Sequence, residues 1–185
     1  FEERFTFLDD RRFKGLVSTR IPLADLISNT VLKADAGDLP LESYDHLPAV
    51  RRVLLPYLRG AVESGESGVN VLLYGMPGTG KTELSRTVAR EIGASLFEVS
   101  TSGDDSTPRL RRWKTAAAFL SSSPNTLLAV DEAEDVFNDR GDGNAEGGRT
   151  NKGEINKLLE TNPIPTFWIT NSIRAIDPAM IRRFD

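Results

Sequence analysis

The sequence predicts an α/β protein in which a mostly parallel sheet is flanked by helices. From about residue 69, short apolar runs of strand length alternate with segments of helical periodicity. The segments between runs can hold the crossovers that parallel neighbours need. Several runs also end directly in glycine, acidic or amide residues, as expected where a parallel sheet presents ligand-binding loops beyond its carboxyl edge. A chain of 185 residues with 39% hydrophobic and 27% charged residues can bury about 70% of its unfolded surface in one domain. That balance excludes wholesale disorder, and no apolar run is long enough to cross a membrane.

Residues 1–44 mix aromatic and charged side chains; Arg4 to Asp10 fits a short strand or hairpin, and nothing in the segment carries recognisable chemistry. It reads as an N-terminal extension, with the functional domain over 45–185. Between Leu47 and Val62, Val50, Val53, Leu54 and Leu58 have helical spacing. Pro48 suits a first turn and Pro56 predicts a kink or break. The run Ser64-Gly65-Glu66-Ser67-Gly68 ends this helix. Val69 to Tyr74 is a buried strand, followed by a glycine-rich turn and a helix over Lys81–Ile92 with Leu84, Val88 and Ile92 inward and Gly93 as its stop.

A strand over Ser95–Val99, a polar loop and a helix opened by Thr107-Pro108 come next, the helix facing Leu110, Trp113, Ala117 and Leu120 inward. Two more strands cover Thr126–Val130 and Thr166–Thr170. Between them the sequence predicts a surface loop from Asn138 to Asn151 and a short helix around Glu154 to Glu160. Trp113 and Trp168 read as core residues.

No cysteine is present, which excludes disulfides, thiolate nucleophiles and thiolate-bound metal. A single histidine, His46, argues against a histidine-ligated metal or a histidine relay. The net charge of -4 opposes general nucleic-acid coating. Arg109, Arg111 and Arg112 read as a solvated or intersubunit face, with contact to nucleic-acid phosphates as the alternative. The chain starts at Phe1 with no secretion signal and stops within a motif, so it reads as a piece of a longer, cytoplasmic protein.

The first strand runs into Gly75-Met76-Pro77-Gly78-Thr79-Gly80-Lys81-Thr82, two glycines flanking four residues and then Lys and Thr. Such a loop wraps its backbone N–H groups around phosphate oxygens at the positive end of the following helix. Lys81 adds a cation for the β- and γ-phosphates, and Thr82 a hydroxyl ligand for Mg²⁺. The strand Thr126–Val130 delivers Asp131 and Glu132 together, one carboxylate to hold hydrated Mg²⁺ and one to polarise an attacking water. Asn171, at the end of the last strand, can bond the water or the γ-phosphate; an Asx turn is the plain alternative. Asp177 and Pro178 read as the cap and first residue of a short helix that ends in Arg182 and Arg183.

Together these residues resemble the AAA+ ATPases, specifically the AAA subgroup, over about Leu47 to Asp185. The resemblance implies a P-loop NTPase fold: the large α/β subdomain, here without the fifth strand and helical lid. It makes Gly75 to Thr82 the Walker A loop, Asp131 and Glu132 the Walker B pair, Asn171 sensor 1, and Arg182 and Arg183 fingers acting on a neighbouring subunit. His46 occupies the place of the adenine-contacting linker, though an exposed helix-end residue is an equal reading. Members of the family commonly form hexameric rings in which ATP hydrolysis drives remodelling of a macromolecule.

Three departures stand out. The two arginines are adjacent, so which one points at the γ-phosphate is open. The chain stops before the family's fifth strand and helical lid, so no sensor 2 arginine can be assigned. The loop Ser100 to Asp105 lacks the aromatic-apolar-glycine triplet of threading unfoldases. The leading reading is a homo-oligomeric, Mg²⁺-dependent ATPase that remodels an unspecified macromolecule. The alternative is a nucleotide-gated switch or loader on protein or DNA with little turnover. A GTPase reading finds only Asn151-Lys152-Gly153-Glu154, with Glu in the position where guanine recognition needs Asp.

Overall fold

The structure, a computed structural model, describes residues 30–100, 109–138 and 147–185, with 138 and 147–152 described by backbone alone. The expected strand at Arg4 to Asp10, the polar loop after Ser100, the helix opening at Thr107-Pro108 and much of the predicted 138–151 loop lie outside the described residues. In chain order the elements are β1 (Val31–Lys33), a π-helical turn (Val50–Leu54) leading into α1 (Leu55–Ser64), β2 (Asn70–Tyr74), α2 (Lys81–Ile92), β3 (Ser95–Val99) and α3 (Arg109–Leu120). There follow β4 (Thr126–Val130), α4 (Glu134–Asn138), α5 (Gly147–Thr161), β5 (Thr166–Thr170) and α6 (Pro178–Ile181).

The strands form one five-stranded sheet in the order β1-β3-β4-β5-β2. β2, β5, β4 and β3 are parallel, and β1 runs antiparallel on β3 with Val31 opposite Val99. Hence the expected parallel sheet gains an antiparallel edge strand. Three residues are too few to show a period in sequence.

Alternation along the central strands divides the core into two layers. Leu127 and Ala129 of β4, with Phe167 and Ile169 of β5, face α1 and α2 through Leu58, Ala61, Leu84 and Val88. Leu128, Val130 and Trp168 point the other way, against Leu110, Trp113, Ile155 and Leu159 of α3 and α5. Trp113 and Trp168 are core residues as expected, their rings 5.5 Å apart and tilted, and Phe137 packs on the same indole at 5.2 Å.

Two local expectations are refined. At Pro56 the expected kink or break takes the form of a change of helix type: a π-helical turn over Val50–Leu54 gives way to α1 at Leu55, with Pro56 in the first turn of α1. The second helix between β4 and β5 is longer than Glu154–Glu160. It starts at Gly147, so residues 147–151 of the predicted loop are helical. Gly153, in the interior of this helix, costs about 1 kcal/mol relative to alanine, which burial of Ile155 and Leu159 can offset.

The start of β2 is anchored by a buried polar network. Asn70 Nδ2 donates to the carbonyls of Gly68 and Leu159, each at 2.7 Å. Its Oδ1 accepts from Asn162 Nδ2 at 2.7 Å and from Trp168 Nε1 at 3.0 Å. Gly68 admits no side chain here, since a Cβ would lie 2.7 Å from the carbonyl oxygen of Glu160. Each buried group left unpaired costs about 1–3 kcal/mol, so Asn70→Ala is expected to destabilise the domain by about 3 kcal/mol or more. Urea unfolding of wild type and variant measures it; a difference below about 1 kcal/mol would deny the network this role.

Candidate active site

Register brings the site together. In the parallel β2–β5 pair Tyr74 lies opposite Thr170, and in β4–β5 Val130 lies opposite Trp168. The next residues, Gly75, Asn171 and Asp131, therefore leave three neighbouring strands at one edge of the sheet. The chain turns from Gly75 into α2 through a loop whose Met76, Pro77, Gly78 and Thr79 are exposed. Gly80, with φ of +81°, makes the left-handed step into the helix that a side chain would strain. Thr79 Oγ1 donates to the Met76 carbonyl at 2.9 Å and closes the loop on itself.

Lys81, the first residue of α2, donates from Nζ to the carbonyls of Gly75 and Met76, both at 2.9 Å, and to Asn171 Oδ1 at 3.0 Å. The Asn171 side chain thus turns toward the lysine rather than closing its own strand. Thr82 Oγ1 donates to Asp131 Oδ2 at 3.1 Å, while Asp131 Oδ1 accepts from the Glu132 N–H at 2.8 Å. A hydroxyl and a carboxylate held this close form the hard-oxygen pair suited to Mg²⁺, which keeps most of its water and takes few protein ligands. Among the described residues no group of three His, Cys, Asp or Glu offers a competing metal site. Glu132 follows in the left-handed region, φ +51°, and its side chain is 52% exposed.

The three neighbouring arginines do not share a face. Arg112 is buried and donates to the Ser100 carbonyl at 3.0 Å. Arg109, at the start of α3, reaches the end of β4: it donates to the Asp131 carbonyl at 2.8 Å and to Glu132 Oε2 at 2.5 Å. Arg111 alone is exposed. The expected solvated or intersubunit cluster is corrected accordingly, and Arg109 is the site residue that sequence reasoning missed. No spacing signal links it to Glu132, because the two meet only through the tertiary fold.

Other predicted site residues sit apart. His46 is exposed, with its ring stacked on Tyr44 at 6.5 Å between centroids; among the described residues no hydrogen bond joins it to the Lys81 group. Arg182 and Arg183 lie exposed at the end of α6, whose cap is the expected one, Asp177 Oδ1 accepting from the Ala179 N–H at 2.9 Å. Arg183 pairs with Glu160 of its own chain. No ion pair of Arg182 occurs among the described residues.

Comparison with known proteins places this geometry. The family model described as "ATPase family associated with various cellular activities (AAA)" matches residues 71–185. The chain is 34% identical over 157 residues to ATPase family gene 2 protein homolog B of Bos taurus, covering 78% of this chain and 20% of that protein. It is 31% identical over 151 residues to the ATP-dependent zinc metalloprotease FtsH of Mesoplasma florum, covering 71% of this chain and 22% of that protein. It thus spans about a fifth of the length of these relatives. In fold it resembles the FIGL-1 AAA domain crystallised with ADP, at a TM-score of 0.61 and 20% identity, over 90% of this chain and 61% of that one.

Proposed function

The chain belongs to the AAA family of ATPases, and from that premise we propose that it is the catalytic core of a Mg²⁺-dependent ATPase that remodels a macromolecule within a ring oligomer. The observation that carries this reading is the convergence of Lys81, Thr82, Asp131 and Asn171 on one sheet edge, with Glu132 the residue after Asp131. The backbone from Gly75 to Gly80 would cradle the nucleotide phosphates. Lys81 would exchange its carbonyl and amide partners for β- and γ-phosphate oxygens. Thr82 and Asp131 would hold Mg²⁺, which neutralises phosphate charge.

Glu132 would take the proton of the attacking water, and Asn171, already bonded to Lys81, would orient that water or the γ-phosphate. Arg182 or Arg183 would complete the site of an adjacent subunit. Arg183 is tied to Glu160, while Arg182 is exposed at the end of its helix, so Arg182 is the finger in this reading. His46 would lie beside the adenine. Among the described residues no helix is long and apolar enough to cross a membrane, and a cytoplasmic setting forms part of the proposal.

Turnover of Mg²⁺-ATP per subunit, measured on the longest form of the protein over a wide concentration range, tests the reading. The expected result is a rate that climbs with concentration as shared sites assemble. A measurable rate that stays constant in a demonstrably monomeric protein would remove the ring. Tight ATP binding with no turnover would turn the reading to a nucleotide-gated switch or loader.

A further inference from the structure

Arg182 sits in a turn that is tied down on both sides. α6 ends with the Arg183 N–H donating to the Met180 carbonyl at 2.9 Å, and Met180 is buried. Beyond Arg182, Asp185 pairs with Asn70 twice. Its N–H donates to the Asn70 carbonyl at 2.8 Å, and the Asn70 N–H donates to Asp185 Oδ2 at 2.9 Å. β2 is the last strand of the sheet, so Asp185 occupies main-chain groups on its open edge. A carboxylate oxygen here stands where a neighbouring strand would offer a carbonyl.

Other contacts converge on the same anchor. Tyr57 of α1 lies against the carboxylate, and burial together with its hydrogen bond to Asp185 pushes the phenol well above its usual pKa. Phe184 packs edge-on against Phe137 with centroids 5.7 Å apart, and Phe137 rests on Trp168, whose Nε1 donates to Asn70 Oδ1. By contrast, the side chains of the Arg183–Glu160 pair are 41% and 49% exposed, and exposed ion pairs hold little. The direction of the turn is therefore set from Asp185 rather than from Arg183.

We propose that Asp185 is a positioning residue for the neighbouring subunit's site: by closing the Arg182 turn onto Asn70, it fixes the direction in which Arg182 leaves its own subunit. The inference rests on the finger reading above and deepens it. Displacing a reacting or stabilising group by about 1 Å can cost on the order of 10²-fold in rate. Asp185 thus governs turnover next door while touching neither nucleotide nor metal.

The test is steady-state Mg²⁺-ATP turnover of the longest form of the protein, with assembly followed by sedimentation, for wild type, Asp185→Ala, Asp185→Asn, Arg182→Ala and Glu132→Gln. The expected result is a kcat at least tenfold lower in Asp185→Ala. Asp185→Asn should stay within threefold of wild type, because its amide oxygen can accept the same Asn70 N–H. Adding Asp185→Ala to Arg182→Ala should lower the rate no further. Mixing supplies a readout that a merely structural defect does not move. Asp185→Ala subunits keep Glu132, and Glu132→Gln subunits keep an anchored Arg182, so co-assembled mixtures should recover part of the turnover.

A loss below tenfold in an assembled Asp185→Ala protein would overturn the inference, as would an equal loss in Asp185→Asn. A co-assembled mixture that stays inactive would do the same, since it places the defect in the variant's own site. Should Asp185→Ala not assemble, Asp185→Glu serves, because it keeps the charge and moves the carboxylate out by one methylene. A loss of at least threefold that mixing restores is expected there, and a smaller loss overturns the inference. Normal turnover in Arg182→Ala would remove the finger reading and the inference with it. A silent Arg182→Ala beside a normal Asp185→Ala would overturn the inference alone.

Discussion

Replacing Glu132 by glutamine is expected to lower Mg²⁺-ATP turnover by at least about 100-fold while nucleotide binding persists, because general-base catalysis contributes about 10²–10⁴ in rate. The substitution is nearly isosteric, and its amide oxygen can still accept from Arg109. What it removes is the capacity to take a proton. Asp131 and Thr82, the proposed metal ligands, keep their mutual contact of 3.1 Å because neither depends on the Glu132 side chain. Binding measured by fluorescent-nucleotide titration should therefore change little. A rate within tenfold of wild type would place the base elsewhere.

Arg182→Ala is expected to have the second large effect. In related phosphoryl-transfer systems a finger arginine is worth roughly 10³–10⁵ in rate through charge stabilisation in the transition state. The loss should be larger than for Arg183→Ala, since Arg183 is already bonded to Glu160 within its own chain. Mixing supplies the sharper reading: Arg182→Ala subunits keep Glu132, and Glu132→Gln subunits keep Arg182. Some neighbouring pairs in a mixed assembly then contain one intact site, and part of the turnover should return. An inactive mixture that demonstrably co-assembles, or an Arg182→Ala protein with normal turnover, would contradict a finger supplied across the interface.

Much of the candidate site was legible in the sequence because its chemistry is local. The run from Gly75 to Thr82 joins a strand to a helix without interruption, so its spacing marks a phosphate-binding loop, and Asp131 with Glu132, a weak signal alone, gains weight from following that loop in the same sheet. The helix over Lys81–Ile92 and the strands over Ser95–Val99, Thr126–Val130 and Thr166–Thr170 have the predicted bounds. Those segments combine strong periodicity with clear punctuation by Gly80, Gly93 and Asn125. A weaker signal failed where packing overrode it: α5 runs through three glycines, Gly147, Gly148 and Gly153.

Arg109 shows the other limit. In sequence it is one of three arginines within four positions, and charge patterning treats them alike. In the fold α3 turns Arg112 inward and Arg111 outward, and directs Arg109 across to β4. Helical geometry sets Arg111 apart, while Arg109 and Arg112, three positions apart, share a side and reach different partners, the end of β4 and the Ser100 carbonyl. Which face meets β4 depends on how α3 packs through Leu110 and Trp113, a matter of tertiary contact.

The sequence by itself determined the strand-loop-helix that carries Gly75 to Thr82, the strand that ends in Asp131 and Glu132, and the family, because a phosphate-binding loop and a paired-carboxylate strand end are written in contiguous residues. The tertiary structure alone decided the order of the strands. β5, the last in the chain, inserts between β4 and β2, and this insertion sets Asn171 beside Lys81 with Asp131 on its other flank. Backbone hydrogen bonds pair any two strands equally well, so local sequence leaves that order open. It is fixed by the fit of whole faces, Phe167 and Ile169 against one helical layer and Trp168 against the other, with the Trp168 indole bonded to Asn70 at the root of β2.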